Sequence, residues 1–426
     1  MLNFVFVILL LLFILILALP VAFSFGMTSL LLILFYELPV KVIGSTIFSS
    51  FDSFIILSVP LFILMSQILL DGRIGDDLFN VMNTWVRHLP GGLAIATILA
   101  CAFFSAITGS GAAAAVTIGV VAYPAMIERG YDKKFTLGLL AAGGTLGILI
   151  PPSVPMILYG SVTEESVGKL FIGGIIPGLV LTAIFIVYAV IFNVKRNFMP
   201  EEKASWSERF TVLRKNILGV SLPFIILGGI YTGAFTPTEA AAVGLVYSLV
   251  LTIFIYRTIS FRDLPGICVK SATTACMISM VIAGALLFGR VLTMLKFPQQ
   301  ITAFIIENNF TPLVFVVVMN LLMMLLGCIL ETVSVILLTM PLVTPVLQAL
   351  EIDVIWYGIV LIVNMTLALI TPPVGMNLYV IKGLRREINM SEVIRGVFPF
   401  ILLMTVFLGM TILFPKMSTY LPSIMK

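Results

Sequence analysis

A chain of 426 residues with 60% hydrophobic and 10% charged side chains and a formal charge of +4 is excluded from the soluble globular class, where charged residues make up about a quarter of the total. Apolar runs near the roughly 20 residues that cross hydrocarbon recur along the whole length and leave no space for a soluble domain of ordinary size. The composition is that of an all-α polytopic membrane protein.

The first apolar run, Phe4 to Pro20, has no basic leader and is followed at once by more apolar sequence, so it reads as a retained helix and not a cleaved signal. His88, the single histidine, stands beside Arg87 at a loop edge and reads as an interfacial residue. Cys101, Cys268, Cys276 and Cys328 lie in apolar segments without a CxxC pair and read as buried small hydrophobes.

At about 92–128 an apolar run is interrupted by SAITGSGAAAA, 105–115, which places Ser105, Thr108 and Ser110 around Gly109 and Gly111. Glycines permit a tight reversal. Small residues also serve close helix packing; the functional reading is a re-entrant hairpin whose second arm begins near Ala112 and turns free amides toward an anion. An acidic turn at Asp132 follows, then a helix over about 135–162 broken within GGTLGILIPPSVP, 143–155. Pro151 and Pro152 carry no amide hydrogen, so the carbonyls of Gly147 and Ile148 lose their donors. Bare carbonyls in a bilayer need a partner, and a cation is a good one.

The charged segment 193–215, with Lys195, Arg196, Lys203, Arg209, Arg214 and Lys215, reads as a cytoplasmic linker between residues 1–192 and 216–426. Beyond it, TPTEAAA at 236–242 marks a helix start, with Thr236 or Thr238 capping and Glu239 in the first turn. The second half then repeats the order of the first. At an offset of 221 positions Pro124 falls on Pro345, Asp132 on Asp353, and the diproline on Pro372 and Pro373 in MTLALITPPVG, where Ala368 and Leu369 would lose their donors. A second hairpin is expected over about 312–350, its tip GCILETVSV, 327–335, holding Gly327, Glu331, Thr332 and Ser334, and a second broken helix over about 356–384. Glu331 either caps the second arm or meets a cation, because an intramembrane carboxyl is costly without a partner.

Five crossings and one hairpin per half make the second half inverted. Threaded this way, most of the 24 lysines and arginines fall on the cytoplasmic side and both termini face outward. Each tip would face the broken helix of its own half and form a cage for sodium. One cage holds Ser105, Thr108 and Gly109 with Gly147, Ile150 and Pro152; the other holds Gly327, Glu331 and Thr332 with Ala368, Thr371 and Pro373. Uncharged oxygens suit a hard cation, and neither cage has histidine or cysteine at metal spacing. Between them Ser110, Gly111, Ser153, Ser334, Asn364 and Asn377 would hold an organic anion.

The strings SGAAAAVTIGVVAYPAM at 110–126, ILIPPSVPMILYG at 148–160, GGIYTGAFTPTEAAAVG at 228–244 and ITPPVGMNLYV at 370–380 together resemble the large membrane subunit of the tripartite ATP-independent periplasmic (TRAP) transporters, over essentially the whole chain. The resemblance implies sodium-driven uptake of an organic acid of the sialic acid or C4-dicarboxylate class by an elevator mechanism, not enzymatic activity. It implies a bacterial inner-membrane location, a periplasmic binding protein that delivers substrate, and a separate four-helix membrane subunit, since the chain starts directly with its first helix. Where many relatives have aspartate then glycine at the second tip, this chain has Glu331 and Thr332. A stand-alone sodium/dicarboxylate symporter or an ion antiporter of related fold would use the same paired hairpins.

Overall fold

The computed structural model describes residues 2–17, 19–196 and 200–425. Met1 and Lys426, whose sidedness the sequence reading addressed, and residues 197–199 of the expected linker lie outside the described residues.

Among the described residues the chain is helical throughout. The first half runs α1 (Leu2–Ile16), α2 (Val21–Phe35), α3 (Lys41–Phe51), α4 (Ser58–Asp71), α5 (Ile74–Val86), α6 (Gly92–Thr108), α7 (Gly111–Glu128), α8 (Lys133–Leu149), α9 (Val154–Thr163) and α10 (Val167–Lys195). The second runs α11 (Trp206–Tyr231), α12 (Pro237–Leu249) with a π turn at Val250–Ile255, α13 (Leu264–Met294), α14 (Phe297–Glu307), α15 (Pro312–Gly327), α16 (Thr332–Ala349), α17 (Val354–Ala368), α18 (Met376–Gly383), α19 (Met390–Leu413) and α20 (Lys416–Ile424). Among the described residues 8 helices are long and apolar enough to cross a membrane, or up to 9 if α4 and α5 form one bent span. The protein is a polytopic membrane protein.

Local chemistry sets the boundaries. Asp132 accepts the Phe135 amide at 2.8 Å to start α8, and Asp353 accepts the Trp356 amide at 2.8 Å to start α17, so the same cap recurs in both halves. At α12, Thr236 caps the Glu239 amide while the Glu239 carboxylate accepts the Thr236 amide, and Pro237 opens the helix. Thr238 does not cap; its hydroxyl donates to the Phe54 carbonyl and ties α12 to the loop before α4.

The helices α8 and α17 are buried on every side, from Phe135 to Leu149 and from Tyr357 to Ala368. An apolar helix without a polar face belongs at the centre of a bundle, and these two form that centre, touching each other and flanked by α6, α7, α15, α16, α18 and α19. Around them α4 packs on α12 and α13, and α13 on α2 and α3. The chain bends by 68° between α4 and α5, at Gly72 and a left-handed Arg73 (φ 57°).

Two of the four cysteines depart from expectation. Cys101 and Cys328 are buried, whereas Cys268 and Cys276 are exposed on α13. On a lipid-facing helix an apolar segment does not mark the packed side, because the solvent there is apolar too.

Candidate functional site

Each tip meets the broken helix of its own half. In the first, α6 ends at Gly109 with φ 62°, a left-handed turn that glycine adopts at no steric cost. A Cβ there would come within 2.6 Å of the Pro152 carbonyl oxygen, and one on Gly147 within 2.8 Å of the Gly111 amide nitrogen. Backbone therefore lies directly on backbone. The second arm starts at Gly111, one residue before the expected Ala112, with Ser110 as its cap: the hydroxyl accepts the Ala113 amide at 3.4 Å. The amides of Gly111 and Ala112 have no partner in the described residues and turn a positive helix end outward.

The second tip has the same plan with different chemistry. A Cβ on Gly327 would lie 2.8 Å from that of Ala368, and the Gly375 amide donates to the Cys328 carbonyl at 3.3 Å, closing the tip onto the break. Glu331 occupies the position before α16, but its carboxylate makes no cap hydrogen bond.

The breaks lie at Pro151–Pro152 and Pro372–Pro373, both cis. At the first, the Ile150 amide bonds to Leu146, and no donor among the described residues reaches the carbonyls of Gly147 or Ile148. At the second the expectation fails. Thr371 donates to the Ala368 carbonyl at 3.1 Å and Asn377 to the Leu369 carbonyl at 3.1 Å, because the chain tightens into turns after α17 and α18 folds back over its end. Each of these carbonyls keeps one unused lone pair, but neither is bare.

Side-chain oxygens complete the environment. Thr108 donates to the Phe104 carbonyl at 3.0 Å and Thr371 to the Leu367 carbonyl at 2.7 Å, so both spend their hydrogen on their own helix and keep oxygen lone pairs free. Ser105, Ser153 and Ser334 hydroxyls and the Asn364 Oδ1 are buried with no hydrogen-bond partner among the described residues. A neutral polar group buried without a hydrogen bond costs about 1–3 kcal/mol. Asn364 is held in place, its Nδ2 donating to both the backbone oxygen and Oδ1 of Asn320 at 2.7 Å.

A cavity of about 300 Å³ opens where the tips converge. Thr108, Gly109, Ser110, Gly111, Glu331, Thr332 and Asn377 line it. Asn377 also crosses the halves, donating from Nδ2 to the Ala141 carbonyl at 3.2 Å. Three residues expected around an organic anion, Ser153, Ser334 and Asn364, are not part of this wall; like Ser105 they are buried with an unpartnered oxygen among the described residues. Likewise Gly147, Ile150, Pro152, Gly327, Ala368, Thr371 and Pro373 are not part of the lining. Of the residues that line the cavity, Glu331 alone is ionisable, and no lysine or arginine contributes.

The sequence reading missed the opposite wall, Ser66 and Gln67 of α4 and Thr274 of α13. It also missed Asn320. The available signal was polarity inside apolar helices: Gln67 and Asp71 four apart in LFILMSQILLD, and a single amide in VVVMNLLMM.

Comparison with known proteins agrees with this architecture. The family described as "Tripartite ATP-independent periplasmic transporter, DctM component" matches residues 7–417. The chain is 37% identical over 401 residues to the C4-dicarboxylate TRAP transporter large permease protein DctM of Pseudomonas aeruginosa, covering 94% of each chain. It is 34% identical to the sialic acid TRAP transporter large permease protein SiaM of Vibrio cholerae, covering 88% of this chain and 87% of that one. Among solved structures, the Alcanivorax borkumensis YdaH transporter superposes with a TM-score of 0.63 at 14% identity, covering 88% of each chain, a likeness of fold.

Proposed function

The chain belongs to the DctM component family of the tripartite ATP-independent periplasmic transporters, and from this premise we propose that it drives the uptake of an organic acid with sodium. Its curated relatives are transport permeases, not enzymes. One observation carries the coupling proposal: the buried oxygens of Ser105, Ser153, Ser334 and Asn364, on the tip arms and the central and broken helices, have no hydrogen-bond partner among the described residues, and no donor there reaches the carbonyls of Gly147 and Ile148. Neutral oxygens buried without donors are the ligand set of a hard, weakly charged cation.

Electrostatics supports the same reading. An organic carboxylate entering the cavity would join the Glu331 carboxyl with no basic side chain in the wall to offset either. Like charges in a low dielectric repel strongly, and cations entering with the substrate would offset that repulsion. The amides of Gly111 and Ala112, and those at the start of α16, would receive the substrate's carboxylate. Sodium supplies the compensating charge when bound. The chain's part is to hold these oxygens in place.

For movement, the two tips and broken helices would travel together against α2, α4, α12 and α13, with the bend at Gly72–Arg73 as a hinge. A small four-helix membrane subunit and a periplasmic binding protein would complete the machine, and the two halves would be inverted in the bacterial inner membrane with both ends outside. The direct test is thermal unfolding of the purified protein titrated with sodium chloride against potassium chloride. Selective stabilisation by sodium is expected; identical curves would remove the ion sites.

A further inference from the structure

The wall of the cavity contributed by α4 carries one side chain whose orientation is fixed from outside the cavity. Gln67 donates from Nε2 to Asp71 Oδ1 at 2.9 Å, and Lys270 on α13 donates from Nζ to Asp71 Oδ2 at 2.9 Å. Both carboxylate oxygens are therefore engaged. An ionised carboxylate only accepts, so the amide must present its nitrogen to Asp71. Its Oε1 receives no donor among the described residues, and Gln67 is one of the side chains that line the cavity, which leaves this oxygen available to a ligand there.

Donors and acceptors in the cavity are then unequally distributed. The first-turn amides of α7 and α16 suit a carboxylate, whereas Gln67 Oε1 is a fixed acceptor that a carboxylate cannot satisfy. We propose that Gln67 Oε1 receives a hydroxyl of the cargo, so that the permease selects hydroxylated organic acids over analogues lacking the hydroxyl. Asp71, locked by Lys270, is the positioning residue. The inference rests on the organic-acid reading above and narrows it. A bare acid leaves Oε1 desolvated and unpaired, and a site built to hydrogen-bond a hydroxyl discriminates through that omission.

The test uses the full chain in lipid nanodiscs at saturating sodium chloride, with calorimetric binding of two pairs that differ by one hydroxyl: malate with succinate, and isethionate with ethanesulfonate. In the pair that binds, the hydroxy acid should be held about threefold to tenfold more tightly, the size of one neutral hydrogen bond. Gln67→Met, similar in size and without an acceptor, should bring both members to the same affinity while sodium stabilisation is kept. Asp71→Asn gives a second route, since its amide can donate to Oε1 and turn Gln67 around; it should also lower the preference. Equal binding of both members by the unaltered protein, an unchanged ratio in Gln67→Met, or binding of neither pair overturns the inference. Because the ratio is read at saturating salt, absence of sodium dependence would sink the coupling proposal and leave this one standing.

Discussion

Ser105 and Ser334 show how a single side chain can separate an ion ligand from a packing residue. Each is buried with its hydroxyl unpartnered among the described residues, an arrangement that destabilises the fold unless a ligand redeems it. Replacing either serine with alanine should leave thermal stability in potassium chloride unchanged or slightly raised, because an unsatisfied group is removed. The same variants should raise the half-saturating sodium concentration about threefold to tenfold, the value of one oxygen contact; a loss of stability in potassium with an unaltered sodium response would make them structural. Glu331→Gln tests the uncapped carboxyl. Since the side chain makes no cap bond, yield and folding should be kept while uptake per molecule falls by at least about tenfold, as expected for losing a charge that a cation must meet. The polar residues at both tips were legible in the sequence because hydroxyls and a carboxyl stand out in apolar runs. Whether Ser153, Ser334 and Asn364 line the cavity was not legible, since that depends on how two helices from distant sequence dock.

The reversals and breaks bring backbone from distant turns into contact. Gly109→Ala would force an L side chain into a left-handed turn and drive its Cβ toward the Pro152 carbonyl, at a cost of about 1–3 kcal/mol. Uptake should collapse with modest loss of yield; normal transport by this variant would show that the tip does not need to sit against the break. The diprolines were readable as breaks, because a missing amide is a property of the residue itself. What followed each break was not. Before the first break the carbonyls of Gly147 and Ile148 stay open, while after Ala368 the chain curls so that the Thr371 and Asn377 amides supply donors, the second following the left-handed Gly375 (φ 56°). The start of α8 is tied to its neighbours by charge. Asp132 is held below the usual carboxylate range: partial burial opposes this, but hydrogen bonds from the Phe135 amide and Arg196 outweigh it. Lys133 on α8 pairs with the Glu392 carboxylate on α19, which also accepts the Asn389 amide. Asp132 is an acid with a depressed folded value, so its contribution is complete above the unfolded range near pH 4 and lost as the pH falls through the lower folded value. Thermal stability should therefore be flat from neutral pH to about 5 on account of this group and fall below about 4; in Arg196→Met that fall should be smaller.

At the scale of the molecule, the order of helices from α6 to α10 recurs from α15 to α19, and the recurring diprolines and acidic caps made that order visible beforehand. The second arms cross between halves, α7 packing on α18 and α16 on α9. No periodicity within either half encodes that exchange, which is why Asn377 bonding to Ala141 could not be foreseen. The crossing packs each second arm against the far segment of the other half's broken helix. Sidedness is tested by replacing exposed Lys203 and Lys169 singly with cysteine: a membrane-impermeant maleimide should reach position 203 from the cytoplasm and 169 from the periplasm, and the reverse pattern would invert the threading. The account stands most directly on accumulation in proteoliposomes that hold the permease with its membrane and binding-protein partners. Accumulation of the organic acid should require an inward sodium gradient and stop when potassium replaces sodium at equal ionic strength; equal accumulation with either cation would contradict it.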